Sequence, residues 1–336
     1  MIAVIDCGTT NTRIYIVSEA REIIASGTRE IGVRNTSITG SKDALKDGIE
    51  KLFAGILKDN NIAIKDISFA LASGMITSEI GLLEIPHLVA PAGIEELSEN
   101  IKIVTDPAVL DIGVPVHFIR GVRNDYGRNA TIRDIRMCDF LRGEEVQCMG
   151  ILNELKPVLP LNVVVLSSHT KIIHLDRQGK ILRCMTTISG QLYNALKDAT
   201  NVGKSIIPAE GEKPGGYSFE EVVETARECV EHAGLGRTML MPRFMQVLLE
   251  TSSDERILFI NAAIAVDDIK AFMEFKSQGY DTRNYLFFGH ESRCSLYTYL
   301  IRKEFGEDIK IESIYDNDII AGLTVKGSAA VASKGV

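Results

Sequence analysis

Apolar and polar positions follow two rhythms along this chain. Residues 2–5, 14–17 and 23–28 are short apolar runs with polar or glycine-bearing breaks between them, the pattern of three consecutive strands in a meander. From residue 41 to 57 the period changes. Leu45, Ile49, Leu52, Phe53 and Ile56 fall on one helical face, and Ser41 stands where an N-cap belongs. Residues 67–72 return to a strand that ends at Ser73-Gly74. Pro86, Pro91 and Gly93 punctuate a loop-rich segment, and residues 101–104 and 117–119 are further short strands. A helix entered at Gly143-Glu144 is expected within residues 139–155.

The opening order then recurs. Residues 162–166 form an apolar strand, 167–171 a polar turn and 172–175 a second strand. Asp176-Arg177-Gln178-Gly179 makes a tight turn into a third strand at 180–187, and a helix follows at 190–199. The two copies share almost no residue identity, so only the pattern repeats. A repeat of this length predicts two similar domains rather than a solenoid, divided as 1–155 and 156–336. Residues 203–217, rich in Gly and Pro, are expected to form a mobile loop. Residues 219–233, 242–250 and 257–275 are amphipathic helix candidates. The chain closes in α/β order: a strand at 285–288 running into Gly289, a helix at 294–304, a strand at 309–314, and a helix at 319–332 after Asp316.

Composition narrows the function. A chain of 336 residues has the length of about two domains. With 45% hydrophobic and 24% charged residues it has material for a large core. The net charge of −8 and the lack of a dense Lys/Arg cluster argue against a nucleic-acid partner, and an anionic substrate would have to be met by local cations. Cys7, Cys138, Cys148, Cys184, Cys229 and Cys294 form no CxxC pair and share no metal-ligand spacing with a histidine, which points to a reducing compartment. The first apolar run is too short for a signal peptide, and no run approaches the ~18 apolar residues of a membrane span. A cytoplasmic protein with no membrane partner is expected.

The opening M-I-A-V-I-D-C-G-T-T-N-T-R carries the first candidate chemistry. Asp6 can hold Mg²⁺, directly or through water. Gly8 permits a tight turn, so the amides of Gly8, Thr9 and Thr10 can point at phosphate oxygens, and Arg13 adds a fixed cation. A plain Asp/Gly hairpin turn has the same residues. In the second copy Ser167, Ser168 and Thr170 offer hydroxyls and Lys171 a charge; a β-turn with a solvated lysine is the alternative. Phe288-Gly289 is a place where a base or ribose can lie on bare backbone, or an ordinary structural glycine. In L-R-G-E-E-V-Q (141–147) a carboxylate at a helix start, after glycine, can accept the proton of an attacking hydroxyl. Helix starts also favour acidic residues in general, and spacing does not separate Glu144 from Glu145. The small polar run Ser73–Ser78 could bond a polyhydroxy substrate. His87 and His169 could be ligands or polar contacts, and no metal triad is visible.

Together these pieces resemble the sugar kinase/actin/heat-shock-chaperone superfamily and, within it, the 2-dehydro-3-deoxygalactonokinase family. The resemblance rests on D-C-G-T-T-N-T-R (6–13), G-M-I-T-S-E-I-G (74–81) with P-H-L-V-A-P-A-G (86–93), L-R-G-E-E-V-Q (141–147), S-H-T-K (168–171) and D-N-D-I-I-A-G (316–322), in family order across nearly the whole chain. It implies two similar ribonuclease-H-like (actin-like ATPase) α/β domains, each a mixed sheet flanked by helices, with an ATP cleft between them. It implies an ATP-dependent kinase that converts a small sugar acid, 2-dehydro-3-deoxy-D-galactonate, to its 6-phosphate by Mg²⁺-assisted in-line transfer. The nucleotide would meet Asp6, Gly8, Thr9, Thr10, Arg13, Ser168, Thr170, Lys171, Gly289 and Asp316, with Asp6 orienting Mg²⁺ through water. Glu144 would be the base, with Glu145 and Arg142 beside it; Gly74, Met75, Ser78 and His87 would face the substrate. Glu145 could instead bind substrate hydroxyls, and Arg13 and Arg142 the substrate carboxylate or the transferring phosphoryl group. Some positions depart from the family pattern. Leu82 stands for an aromatic residue and Arg120 for a proline. The 123–139 segment is long and basic in places. Asn261-Ala262-Ala263 and Asp267-Asp268 replace a Gly-Glu/His pattern. These departures keep open a kinase for another sugar or sugar acid; a nucleotide-binding actin-like sensor or filament protein stays open as a different class. Either reading is compatible with a homodimer.

Overall fold

The computed structural model describes residues 1–208, 210–212 and 214–333. They fall into two compact units. One holds Met1–Pro160, His174–Cys184 and the chain from Asp316; the other holds Leu161–Ile173 and Met185–Tyr315.

The first unit opens with the expected meander, β1 (Ile2–Cys7), β2 (Thr12–Val17) and β3 (Ile23–Arg29). Two helices follow, α1 (Val33–Thr39) and α2 (Asp43–Asp59), and then β4 (Ala70–Gly74). Beyond them come β5 (Leu88–Val89), α3 (Ile94–Glu99), β6 (Lys102–Val104), β7 (Val116–Phe118), β8 (Val122–Arg123), β9 (Phe140–Leu141) and α4 (Glu144–Glu154). The main sheet runs β3-β2-β1-β4-β7-β6, and β5-β8-β9 form a small second sheet. β1 pairs antiparallel with β2 and parallel with β4. Ala3, Val4 and Ile5 are all fully buried, as a central strand covered on both faces requires. Ile5, Ile14, Ile16, Leu45, Ile49, Phe53 and Phe118 belong to the core on one face. Each such side chain contributes about 1.5–3 kcal/mol by leaving water.

The second unit repeats the plan. β10 (Leu161–Leu166), β11 (Thr170–Leu175) and β12 (Ile181–Thr187) form the second meander, followed by α5 (Ser189–Ala199), α6 (Phe219–Thr238), α7 (Met241–Leu248) and α8 (Ser253–Ser277). β13 (Asn284–Gly289), α9 (Glu291–Phe305) and β14 (Lys310–Ile314) complete it. The sheet order is β12-β11-β10-β13-β14, with β10, β13 and β14 parallel. Both main sheets therefore run third, second and first meander strand, then a parallel strand. The repeat of pattern is a repeat of topology. Val164, Phe259, Phe272, Tyr285, Phe287 and Leu300 belong to this unit's core.

The units differ from a cut at 155/156 in three places, the first being that the first unit runs on to Pro160. The tip of the β11–β12 hairpin clusters with the first unit. There Ala92 bridges Ile181, and the Asn124 side chain accepts from the Cys184 amide at 2.8 Å and donates to its carbonyl at 2.9 Å. The last helix, α10 (Asn317–Ser333), also belongs to the first unit, because it packs on α4 through glycines. A Cβ at Gly150 would lie 2.0 Å from the Leu323 carbonyl oxygen, and one at Gly327 1.8 Å from that of Val146. Only bare backbone permits this approach.

Other expectations shift locally. α1 was not expected at all. α2 begins at Asp43, although the Ser41 hydroxyl still accepts the Asp43 amide at 3.1 Å. Within 203–217, positions 209 and 213 lie outside the described residues. The rest is tied down rather than loose: Glu212 bonds Ser253 and Arg256, each at 2.6 Å, and the Tyr217 amide donates to Glu255 at 2.8 Å.

Candidate active site

In the first unit three chain segments meet at the end of β1. The register places Asp6 opposite Arg13 on β2 and beside Ser73 on β4. Arg13 Nη1 lies 3.5 Å from Asp6 Oδ2. Gly74 closes β4 at φ +87°, and a Cβ there would sit 2.5 Å from the Cys7 carbonyl oxygen and 3.6 Å from Asp6 Oδ1. Gly143, at φ +111°, enters α4 so close that its own Cβ would be 3.4 Å from Gly74 Cα. Two glycines thus bring the α4 start to Asp6. Desolvation holds the Asp6 carboxyl above the ordinary carboxylate range; nearby Glu144 adds to the rise, and Arg13 opposes it.

The turn after β1 is braced from behind. The Gly8 and Thr9 carbonyls accept from the amides of Val33 (3.3 Å) and Arg34 (2.9 Å) at the start of α1. Gly32 makes this possible, since a Cβ there would lie 2.5 Å from the Thr9 oxygen. Thr9 and Thr10 point to solvent. The Gly8 amide does not, because it donates to the Asn11 carbonyl at 2.8 Å. The expectation that Gly8 offers its N–H to phosphate is corrected, as is the reason for the glycine. Its φ is not left-handed; a side chain there would crowd the Asn11 oxygen at 3.2 Å.

The structure separates the two glutamates. Both Glu145 oxygens accept from the Gly143 amide, at 2.8 and 2.9 Å, and the residue is fully buried. Glu145 therefore caps α4, contrary to the expectation that it touches substrate. Glu144 is half-exposed and faces Asp6 closely enough to perturb it. Arg142 binds Thr77 Oγ1 at 2.6 Å and the Ile85 carbonyl at 3.2 Å, so it clamps the 74–85 segment. Ser78 is buried and donates to the Met75 carbonyl at 2.7 Å, which turns it away from any substrate. Met75 is half-buried and packs on the core. His87 lies 4.9 Å from the Phe140 ring, with Gly121 leaving room for its edge. Leu82 is a core residue, which accounts for its aliphatic character without reference to substrate.

The second unit has its own braced turn. Ser167 and Ser168 are exposed after β10. The Ser168 carbonyl accepts the Gln191 amide at 2.9 Å, and Gly190 lets α5 approach, since its Cβ would fall 2.4 Å from the Ser167 oxygen. Gly289 closes β13 beside Leu166, as Gly74 closes β4 beside Cys7; its Cβ would lie 2.7 Å from the Leu166 oxygen. Thr170 corrects an expectation. It is fully buried, with its hydroxyl 3.3 Å from Tyr297 Oη and 3.3 Å from Arg293 Nη2, and does not face a ligand. Lys171 is half-buried on the opposite face of β11. Asp316 belongs to the first unit and caps α10, its Oδ1 accepting from the Asp318 (2.8 Å) and Ile319 (3.2 Å) amides.

A family model for 2-keto-3-deoxy-galactonokinase matches residues 6–325. The chain belongs to that family. Its members are sugar acid kinases, phosphotransferases that use ATP. A Rhizobium meliloti (strain 1021) protein named for 2-dehydro-3-deoxygalactonokinase, DgoK1, is 22% identical over 226 residues, 67% of this chain and 66% of the relative, so the alignment spans just under two thirds of that protein. A crystal structure of a Sinorhizobium meliloti protein named for the same activity superposes with a TM-score of 0.74 at 18% identity, over 99% of each chain. The Acidaminococcus fermentans (R)-2-hydroxyglutaryl-CoA dehydratase component A gives 0.50 at 11% identity, over 100% of this chain and 99% of that one. The fold is that of the actin-like ATPases and sugar kinases.

Within this family's fold the structure brings Asp6, Arg13, Gly74 and Glu144 together in the first unit, and in the second sets Gly289 beside Leu166, the residue before the Ser167–Ser168 turn. Sequence reasoning missed the bracing glycines Gly32 and Gly190 and the cation Arg293. The signal for the first two was present: each stands at a helix start shortly after a third meander strand. Arg293 carried no signal, because its reach to the turn depends on where α9 lies.

Proposed function

We propose that the protein transfers the γ-phosphoryl group of ATP to the terminal hydroxyl of 2-dehydro-3-deoxy-D-galactonate. The convergence of Asp6, Gly74 and Gly143-Glu144 carries this reading, since it sets a carboxylate base next to a desolvated acidic corner that favours a bound cation. Glu144 accepts the proton of the attacking hydroxyl as its oxygen bonds to the γ-phosphorus and the bond to the β–γ bridging oxygen breaks, releasing ADP. Exposed Thr9 and Thr10 donate to phosphate oxygens; the exposed Ser168 hydroxyl is a phosphate donor of the same kind on the second unit's own turn. Arg13 holds Asp6 in place and adds positive charge. Arg142 holds the 74–85 segment against which the sugar acid binds, with Gly74, Met75 and His87 as the facing residues.

Mg²⁺ is part of the proposal. Among the described residues no group of three or more His, Cys, Asp or Glu can hold a metal. One half-buried carboxylate fits an ion that keeps several waters and takes its other ligands from phosphate. Bound there, Mg²⁺ would neutralise charge on the transferring group. Among the described residues no helix is long and apolar enough to cross a membrane; a cytoplasmic place in sugar acid metabolism is part of the proposal.

A coupled ADP-release assay with the keto-deoxy sugar acid and Mg-ATP tests the reading. Glu144→Gln should lower kcat by about 10²–10⁴-fold with KM for ATP little changed, and chelating Mg²⁺ should abolish turnover. Wild-type turnover no greater than that of Glu144→Gln would sink the assignment. A panel of stereoisomeric sugar acids fixes the substrate.

A further inference from the structure

The buried Asp268 on α8 is a charge that the reaction described above does not use. It is 5% exposed and accepts from two hydroxyls at once, those of Ser189 and of Tyr297 (2.5 Å). A buried carboxylate is costly unless its hydrogen bonds are satisfied, so an arrangement that keeps one needs a reason.

Two arms run from Asp268 to the turn at 167–169, both inside the second unit. Along the first, the fully buried Tyr297 hydroxyl donates to Asp268 and accepts from Thr170, 3.3 Å away. The Thr170 oxygen in turn accepts from Arg293 Nη2, and Arg293 Nη1 donates to the Ser167 carbonyl at 2.6 Å. The direction is consistent throughout: guanidinium to threonine, threonine to tyrosine, tyrosine to carboxylate. Such a chain polarises each successive bond. The Arg293 guanidinium also lies over the Tyr297 ring, 5.9 Å from its centroid. Along the second arm, Thr187 and Ser189 share a 2.7 Å contact, and Ser189, bonded to Asp268, sets the start of α5. From there the Gln191 amide reaches the Ser168 carbonyl. One carboxylate thereby fixes the carbonyls of both serines, leaving their hydroxyls exposed.

The first unit gives an independent parallel. There too both carbonyls of the turn are drawn back, by the Val33 and Arg34 amides. Asp268 and Arg293 supply to the second turn what α1 alone supplies to the first.

We propose that Asp268, Tyr297 and Arg293 form a positioning network that sets the Ser167–Ser168 turn to bind the phosphates of a nucleoside di- or triphosphate, with Arg293 as the fixed cation beside it. Asp268 and Tyr297 act through the turn and are positioning residues. This rests on the reading of that turn as a phosphate site.

Titration calorimetry of the full chain with ADP and with adenosine is the test, since only ADP carries the phosphates. Tyr297→Phe removes the hydroxyl linking Thr170 to Asp268 and should weaken ADP about tenfold, the effect of losing roughly one buried hydrogen bond, while adenosine shifts less than twofold. Arg293→Lys keeps the charge but loses the fork that spans Ser167 and Thr170, and should behave alike. In turnover KM for ATP rises and KM for the sugar acid does not. Equal weakening of ADP and adenosine, or a lowered melting temperature with ADP affinity intact, would overturn the proposal. If Tyr297→Phe does not fold, Arg293→Lys, at a half-exposed site, decides alone. A wild type that binds ADP no more tightly than adenosine would overturn it as well. A wild type that binds ADP through its phosphates but phosphorylates no sugar acid would refute the kinase reading and leave the network supported.

Discussion

Gly74→Ala is the most searching single substitution. Two separate penalties meet at this residue. Its φ of +87° with ψ of −152° is a conformation almost reserved to glycine and costs an L-residue about 1–3 kcal/mol. Its Cβ would also stand 2.5 Å from the Cys7 carbonyl oxygen, a backbone atom of the central strand with nowhere to go, and overpacking of this kind costs about 1–3 kcal/mol more. Gly279 offers a control within the same chain. It has the same φ of +87° with nothing within 4 Å of its Cβ. Gly279→Ala should therefore lose only a conformational part, about 1–2 kcal/mol, and Gly74→Ala about 2–6 kcal/mol in urea unfolding. The difference between them measures the close approach together with the strain of Gly74's ψ of −152°. Relief of the clash must move the end of β4 relative to Asp6 and Gly143, and a displacement of about 1 Å in an active site can cost on the order of 10² in rate. Gly74→Ala should thus lose kcat/KM well beyond its loss of stability, while Gly279→Ala keeps full activity. Equal destabilisation by the two substitutions, or normal turnover in a folded Gly74→Ala protein, would show that the contact at Cys7 does not hold the site.

Three further outcomes follow from the same geometry. Asp6 has a folded pKa raised above its unfolded value, so its favourable contribution is complete below the unfolded carboxylate value of about 3.9 and is lost as pH rises through the folded value. At pH 7–8 its charge is a cost: Asp6→Asn should melt no lower than wild type while activity falls at least about a hundredfold, and a lower melting temperature would contradict the desolvation argument. Glu145→Gln should lose about 1–3 kcal/mol of stability by weakening the cap on the Gly143 amide, with kcat far less affected than by Glu144→Gln; the reverse ranking in parallel assays would exchange their roles. Gly327→Ala and Gly150→Ala should each destabilise by about 1–3 kcal/mol, and the double variant by less than the sum, because either one opens the same α4–α10 seam; strict additivity in urea titrations would place the two contacts in separate seams.

Much of this protein was legible as a string. Both meanders, their polar turns and the helices after them were visible because buried strands and amphipathic helices impose periods that the order of apolar and polar residues displays. The family's motifs marked Asp6, Gly74 and Glu144 before any geometry was known. Boundaries moved where capping chemistry competed with periodicity, as at Ser41, which caps from outside a helix that begins at Asp43. The short α1 escaped notice because its work is done by backbone amides, which leave no trace in side-chain pattern.

What only the tertiary structure decided was direction. A strand sends alternate residues to opposite faces, so Thr170 and Lys171 look equivalent in a motif and are not: one hydroxyl is spent inside, on Tyr297 and Arg293. Adjacent glutamates on a helix start look equivalent too, until one carboxylate folds back on the Gly143 amide and the other is left facing Asp6. Local sequence sets which conformations and chemistries are available. Which donor an atom meets, and which helix lies against which, depends on segments far away in the chain, as when Gly327 admits α10 to α4. Those long-range approaches are chosen by packing, and packing is a property of the folded whole.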